Sequence, residues 1–357
     1  MVIMALDHTR EFFHAESQQF QPDDLTKTTA AIFFTRWITH ICAPVFMFAA
    51  GAAAFLWLQN GRAKSELSSY LWKRGLWLVV LELTALRFAL AFSLTTGPVL
   101  LTVLWALGWS MVALGFLSRL PVRPLAVLSL LTIALHNLAD PVSSGNFLWR
   151  VLHQQGAAVF GPVVVIVGYP LIPWIAVMSA GYCFGTVLPM PAEARQRWLL
   201  RTGLGLTAAF VVLRAINVYG DPQPWSTLTL LSFLRTTKYP PSLEFLSMTL
   251  GPALLLLRMF YKLELPKSNP LVMIGRVPLF YFLVHFFLIH VLTIPLAWKR
   301  YGWAGIPWSP FAFPPGYGYP LWTVYLIWVL VVAIMYPLCV WFANVKRDSH
   351  NPWLGYL

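Results

Sequence analysis

The sequence predicts an all-α fold, a polytopic membrane helical bundle of about ten transmembrane helices. Three observations predict it. Of 357 residues, 58% are hydrophobic and only 11% charged, whereas soluble domains carry about 25% charged residues. The apolar residues lie in long blocks instead of alternating with polar ones, and blocks of about 20 are what a hydrocarbon core about 30 Å thick demands of a helix. The basic residues fall between those blocks.

Taken in order, the chain opens with a short apolar piece, residues 1–13. From Met1 to His8 it supplies only about 10 Å of helix, about a third of a crossing. The expectation is therefore that the first helix is N-terminally truncated, with Met1 an internal methionine or a misassigned start. Spans follow at 31–58, 71–93, 97–118, 122–139, 161–188, 199–219, 241–261, 270–296 and 319–344. In 31–58, "TRWITHICAPVFMFAAG" places Pro44 where it loosens the helical ladder near His40. Gly51 and its neighbouring alanines permit close helix packing there. The segments 31–58, 161–188 and 270–296 exceed a straight crossing and imply tilt or an extramembrane part. No internal repeat or Gly/Ser linker divides the chain, so residues 1–357 read as one domain. Trp298, Trp303 and Trp308 suit an interfacial belt beside the turn-rich "FPPGYGYP".

The formal charge of +12 does not point to nucleic acid, because of where the cations sit. Fifteen of the 25 Lys and Arg fall in alternate connections: Arg62, Lys64, Lys73, Arg74, Arg119, Arg123, Arg195, Arg197, Arg201, Arg258, Lys262, Lys267, Arg276, Lys346 and Arg347. The positive-inside bias makes these connections, and both termini, cytoplasmic. The cluster Asp7–His14 then faces the other side, the periplasm in a bacterium. Cys42, Cys183 and Cys339 lie in apolar segments without any CxxC, so neither a disulfide frame nor a cysteine metal site is indicated. The chain contains no GxxxxGKS, HExxH or GxSxG.

Ionisable residues within spans mark functional sites by default. Asp7, His8 and Glu11 end the first helix, followed by His14. One carboxylate there can hold an imidazole tautomer while the other ring nitrogen handles a proton. Arg36 and His40 are four apart, on one helical face, and suit an anionic ligand. His285 and His290 are five apart, about 140° around a helix, and so form no local metal pair. Glu82 and Arg87 are expected to pair with other helices. Arg36, Arg87, Arg214, Arg235 and Lys238 form an outer basic ring if their helices are neighbours. No spacing supports a metal site. A proton-coupled transporter is the alternative function, with Asp7, His8, Glu82 and Glu244 as relay groups.

The blocks "MVIMALDHTREFF", "FFTRWITHICAPVFMFAAG", "TKYPPSLEFLSMTLGPALLLL", "GRVPLFYFLVHFFLIH" and "YPLCVWFANVKRDSHNPWLGYL" resemble a bacterial membrane family. That family is grouped with the catalytic domain of heparan-alpha-glucosaminide N-acetyltransferase, in the transmembrane acyltransferase superfamily. The resemblance implies acyl transfer, acetyl in the first instance, from cytoplasmic acetyl-CoA to a sugar or other small acceptor across the inner membrane. Membrane lipid is an expected partner from the apolar spans, and the resemblance adds the expectation of a homodimer. Superfamily members often open with an Arg-Gly pair, and in some an Arg precedes the catalytic His by eleven positions. Counted back from His8, that position falls before Met1. In the lysosomal enzyme the catalytic His lies in the loop after the domain's first helix, where this chain has His14, so His8 and His14 both stand as candidates. Asp7 and Glu11 would support the base; Arg36, His40, Arg214, Lys238, His285 and His290 would bind donor or substrate.

Overall fold

A computed structural model describes residues 1–17, 19–263, 265–266, 268–306, 308 and 313–349. Lys267 and the closing residues 350–357 lie outside the described residues. The chain is mostly helical and divides into two compact units. Six helices among the described residues are long and apolar enough to cross a membrane: Ala30–Gln59, Val122–Ala139, Ala192–Ile216, Leu243–Leu263, Pro278–Tyr301 and Leu321–Asp348. Val103–Leu117 and Leu171–Val187 are apolar but shorter. Lys64–Leu81 is helical too, but carries Lys64, Glu66, Lys73 and Arg74. Large apolar side chains on these helices stay exposed, among them Leu130, Leu131, Val212, Leu326 and Val329. Such surfaces are stable against lipid tails and costly against water.

The first unit comprises residues 1–42, 83–97 and 264–357. Its innermost element is the helix Val2–Phe13, packed on Pro278–Tyr301 and Leu321–Asp348. This helix buries residues on every side, including Asp7 and Arg10, as an element enclosed by others must. Strand-like bonds pin its end: Tyr319 N–H donates to Phe13 O at 2.7 Å and Ala15 N–H to Tyr319 O at 3.1 Å. The expected span 270–296 is broken into Pro270–Gly275 and Pro278–Tyr301. Pro278 disfavours α geometry at the residue before it, and Val277 has φ −128° and ψ 55°.

The second unit comprises residues 43–82 and 98–263. Lys64–Leu81 packs on Val103–Leu117, and Ala192–Ile216 on Leu243–Leu263. Glycines make close approaches possible. A Cβ on Gly51 would strike the Met178 carbonyl oxygen, and one on Gly181 the Phe48 carbonyl. The expectation for Gly51 is thus met by backbone-to-backbone packing.

The all-α expectation needs one correction. Val99–Leu101, Gly156–Phe160 and Val163–Val167 form a three-stranded sheet, with Val163–Val167 in the centre. The first quarter of the expected span 161–188, residues 161–167, is therefore hairpin turn and strand, and the helix begins only at Leu171. An apolar run without periodicity reads equally as buried helix or strand. The distinguishing features are the β-branched residues Val163–Val167 and the turn at Gly161, whose φ of 58° suits a two-residue hairpin loop.

Glu82 shows how this unit satisfies a buried helix end. Its carboxylate accepts hydrogen bonds from Thr102 N–H (2.9 Å), Thr102 Oγ1 (2.6 Å), Leu104 N–H (3.0 Å) and Trp105 N–H (3.2 Å). These include donors that the helix Val103–Leu117 cannot pair internally, and negative charge is favoured at that end. The expected pairing of Glu82 with another helix is thus a cap. Glu82→Gln retains one acceptor oxygen and sets an amide N–H against backbone N–H groups. It is expected to cost about 1–3 kcal/mol, read as a lower melting temperature of the detergent-solubilised protein.

Candidate active site

The helix Val2–Phe13 sorts its ionisable residues by spacing. Residues three apart share a face, which pairs His8 with Glu11 and Asp7 with Arg10. His8 Nδ1 lies 3.0 Å from Glu11 Oε2. Arg10 Nη2 donates to Asp7 Oδ1 at 3.3 Å and lies 3.8 Å from Glu11 Oε1. Arg36, on the helix Ala30–Trp37, donates through Nη1 to the other oxygen of Asp7. One connected chain results: His8, Glu11, Arg10, Asp7, Arg36. Two carboxylates face two guanidiniums, so the formal charge balances, as burial of Asp7 and Arg10 requires.

The open question of which carboxylate holds the imidazole has a geometric answer. Glu11 faces His8, while Asp7 is engaged by two arginines. An ionised carboxylate can only accept, so Nδ1 of His8 carries the hydrogen and Nε2 presents a lone pair. This tautomer is assigned from the partner. The imidazole packs against Phe286, with ring centroids 4.0 Å apart, and lies 5.4 Å from the ring of His285.

His285 is fully buried, and its Nδ1–H donates to Tyr281 O at 2.9 Å. Its Nε2 and the Tyr281 hydroxyl are buried without a hydrogen-bond partner among the described residues. A buried polar atom left so is costly unless a ligand or water completes it. His290 lies one turn on; its Nδ1–H donates to Ala89 O at 2.9 Å and its ring stacks on Phe92 at 3.9 Å. It thereby satisfies a carbonyl at the end of Arg87–Ala91, where Phe92 takes the left-handed conformation.

The other expected residues stand differently. His14 follows the helix, with its backbone bridged to Tyr319, and its buried Nδ1 has no hydrogen-bond partner among the described residues. Burial pushes its imidazole below the ordinary value, against Glu16 and in the same sense as Arg10. The expectation that Arg36 and His40 share a helical face needs correction. Ile38–Ile41 is a 3₁₀ turn, and at about 120° per residue it carries His40 well off the face of Arg36. Pro44 supplies the reason: having no N–H, it cannot close an α-helical bond to the His40 carbonyl.

Arg214 and Lys238 belong to the second unit. Only 1% exposed, Arg214 donates to Glu244 Oε2 (2.9 Å) and to the carbonyls of Phe233 (2.9 Å), Ser232 (3.0 Å), Gln223 (3.2 Å) and Arg235. Its guanidinium clamps the loop before Leu243–Leu263 instead of presenting a free cation. Arg87 donates to the carbonyls of Thr96 and Gly97. Lys238 Nζ lies over the ring of Tyr239, 5.1 Å from its centre.

Sequence reasoning missed one cluster. His136, Asp140 and His153, all in the second unit, bring one donor atom each within 4.8 Å of one another. His136 and Asp140 are four apart at a helix end, which is a legible signal. His153 comes from a separate short helix end, which is not.

Apolar helices long enough to cross a membrane, together with a charge-balanced imidazole, carboxylate and guanidinium cluster, define an integral membrane protein with ionisable groups buried among its helices. Residues 2–220 match the family described as heparan-alpha-glucosaminide N-acetyltransferase, catalytic. The chain belongs to that family of membrane acyltransferases. The matched stretch contains Asp7, His8, Glu11, His14, Arg36, His40 and Arg214, and ends before Lys238, His285 and His290. No match was found among curated proteins.

Proposed function

We propose that the chain is an integral membrane acyltransferase, with acetyl-CoA as donor and a sugar or other small acceptor on the far side of the membrane. The observation carrying this reading is the His8–Glu11 pair at 3.0 Å, part of a charge-balanced cluster and beside His285, whose buried Nε2 has no hydrogen-bond partner among the described residues. The acyl thioester supplies the electrophile; the rest is done by side chains. His8 Nε2 takes the proton from the acceptor hydroxyl or amine as it attacks the thioester carbonyl, Glu11 stabilises the imidazolium that results, and the same proton passes to the CoA sulfur as the C–S bond breaks. Asp7 acts through Arg10 and Arg36, which keep the surroundings of Glu11 and His8 neutral overall. Arg36, less deeply buried than Arg10, is the cation assigned to developing negative charge. His285 Nε2 and the Tyr281 hydroxyl fit a polar group of the substrates.

In the same reading His14 shapes the mouth of the site through its bridge to Tyr319, and His290 and Arg214 are scaffold. His40 and Lys238 remain proposed ligand contacts. We place the protein in the inner membrane with both termini cytoplasmic, on the basic bias of the alternate connections. A homodimer is part of the same proposal. No observation favours the transport alternative.

The test is purified full-length protein given radiolabelled acetyl-CoA and a panel of glycans. Label is expected to reach an acceptor. Substrate flux in proteoliposomes without any acyl turnover would overturn the reading. Glu11→Gln loses the charge that holds the Nδ1–H tautomer. Its kcat is expected to fall about 10- to 100-fold with KM for the donor little changed, measured in the same assay.

A further inference from the structure

We propose that His136, Asp140 and His153 form a binding site for a divalent transition-metal ion, zinc in the first instance. The three residues converge from the end of the Val122–Ala139 helix and from the segment that follows it. His153 Nε2 lies 3.0 Å from Asp140 Oδ1, and all three donor atoms lie within 4.8 Å of one another. With zinc bonds of about 2.0–2.1 Å, tetrahedral ligand atoms sit about 3.4 Å apart. One edge of the tetrahedron is thus already near its length, and the others need a side-chain adjustment of about an ångström.

Two further observations point to a ligand. His136 is 7% exposed, and neither of its ring nitrogens is in hydrogen-bond geometry with a described residue, the Pro241 backbone giving only a weaker polar contact. An imidazole buried in that way carries an incompletely compensated desolvation cost, which a metal bond would offset. His136 and His153 also line an open pocket of about 330 Å³, with Leu131, Leu135 and Trp149 forming apolar walls. That space is ample for water or a small ligand in a fourth position, the arrangement of zinc sites with three protein ligands.

The carboxylate is held for the purpose. Asn137 Nδ2 donates to Asp140 Oδ2 at 2.7 Å, and Asn137 Oδ1 accepts from Leu243 N–H at 2.9 Å. Oδ2 is thereby engaged and Oδ1 turned to His153. Partners of this kind orient metal-binding carboxylates. Two imidazoles and one carboxylate suit zinc and its neighbours over calcium or magnesium, which take oxygen ligands. On binding, the His153 ring keeps one N–H, moved from Nε2 to Nδ1, and its Nε2 lone pair goes to the metal.

The experiment uses the full-length protein in detergent, purified without a histidine tag, stripped with a chelator and reloaded with zinc alone. Metal content after gel filtration is expected to be one zinc per chain. It is expected to fall at least tenfold in His153→Asn and in Asp140→Asn, and to persist in His8→Gln. Wild-type protein loaded with cobalt(II) gives a reading that needs no variant. An intense visible spectrum of a low-coordinate, nitrogen-bound ion supports the site. The weak spectrum of the aqueous ion, or zinc retention unchanged in His153→Asn, overturns it.

Discussion

Replacing His8 with Gln is expected to lower acyl transfer about 10²–10⁴-fold, the range that a positioned general base contributes. Gln has similar length and keeps an N–H for Glu11, so the cluster stays connected, but it offers no basic lone pair. The partly buried setting of His8, whose side chain is 19% exposed and packs on Phe286, tolerates a side chain of similar length without loss of fold. Labelled acetyl-CoA and acceptor measure the rate, and gel filtration with thermal unfolding confirms intact protein. A variant that folds normally and turns over at the wild-type rate would remove His8 from the mechanism. His14→Gln is the natural companion: a loss confined to that variant would shift the base to His14.

The largest loss of stability is expected from Arg214→Ala. Arg214 neutralises Glu244, which is 1% exposed, and ties down four carbonyls of the loop before Leu243–Leu263. Removing one partner of a buried ion pair leaves the other charge uncompensated, at about 3–5 kcal/mol. The orphaned carbonyls add to this. Thermal unfolding in detergent should show a large fall. Arg214→Met combined with Glu244→Leu should recover part of it, because no isolated charge then remains. If Arg214 served instead to bind the donor, Arg214→Ala would raise KM for acetyl-CoA and leave the melting temperature unchanged.

Much of the site was legible because it is local. His8 and Glu11, like Asp7 and Arg10, lie three residues apart on one short helix, and helical spacing alone puts each pair on one face. Pro44 announced the disturbance at His40 by its missing N–H. The longer apolar helices were legible because bilayer thickness imposes a length and composition on them. Other features depended on distant partners. Nothing in the sequence distinguished Asp7, engaged by Arg36, from Glu11, engaged by His8. Arg214 read as a member of an outer basic ring that binds donor or substrate, because its acceptors are mostly backbone carbonyls, which every residue possesses. The Val163–Val167 strand was hidden in an apolar run, since five successive β-branched residues show no alternation and an unbroken apolar run reads equally as helix or strand.

The sequence by itself determined that this is a helical membrane protein of an acyltransferase family, with a histidine and two carboxylates at the end of its first helix. Both follow from interactions that depend on near neighbours or on the solvent, where spacing and hydrophobicity suffice. Only the tertiary structure decided how each charge is compensated. It gave Glu82 to a helix end, Arg214 to a loop, Asp7 to two arginines, and brought His136 beside His153. A buried charge or imidazole must be matched within a few ångströms, and the chain can supply that match from any position along its length.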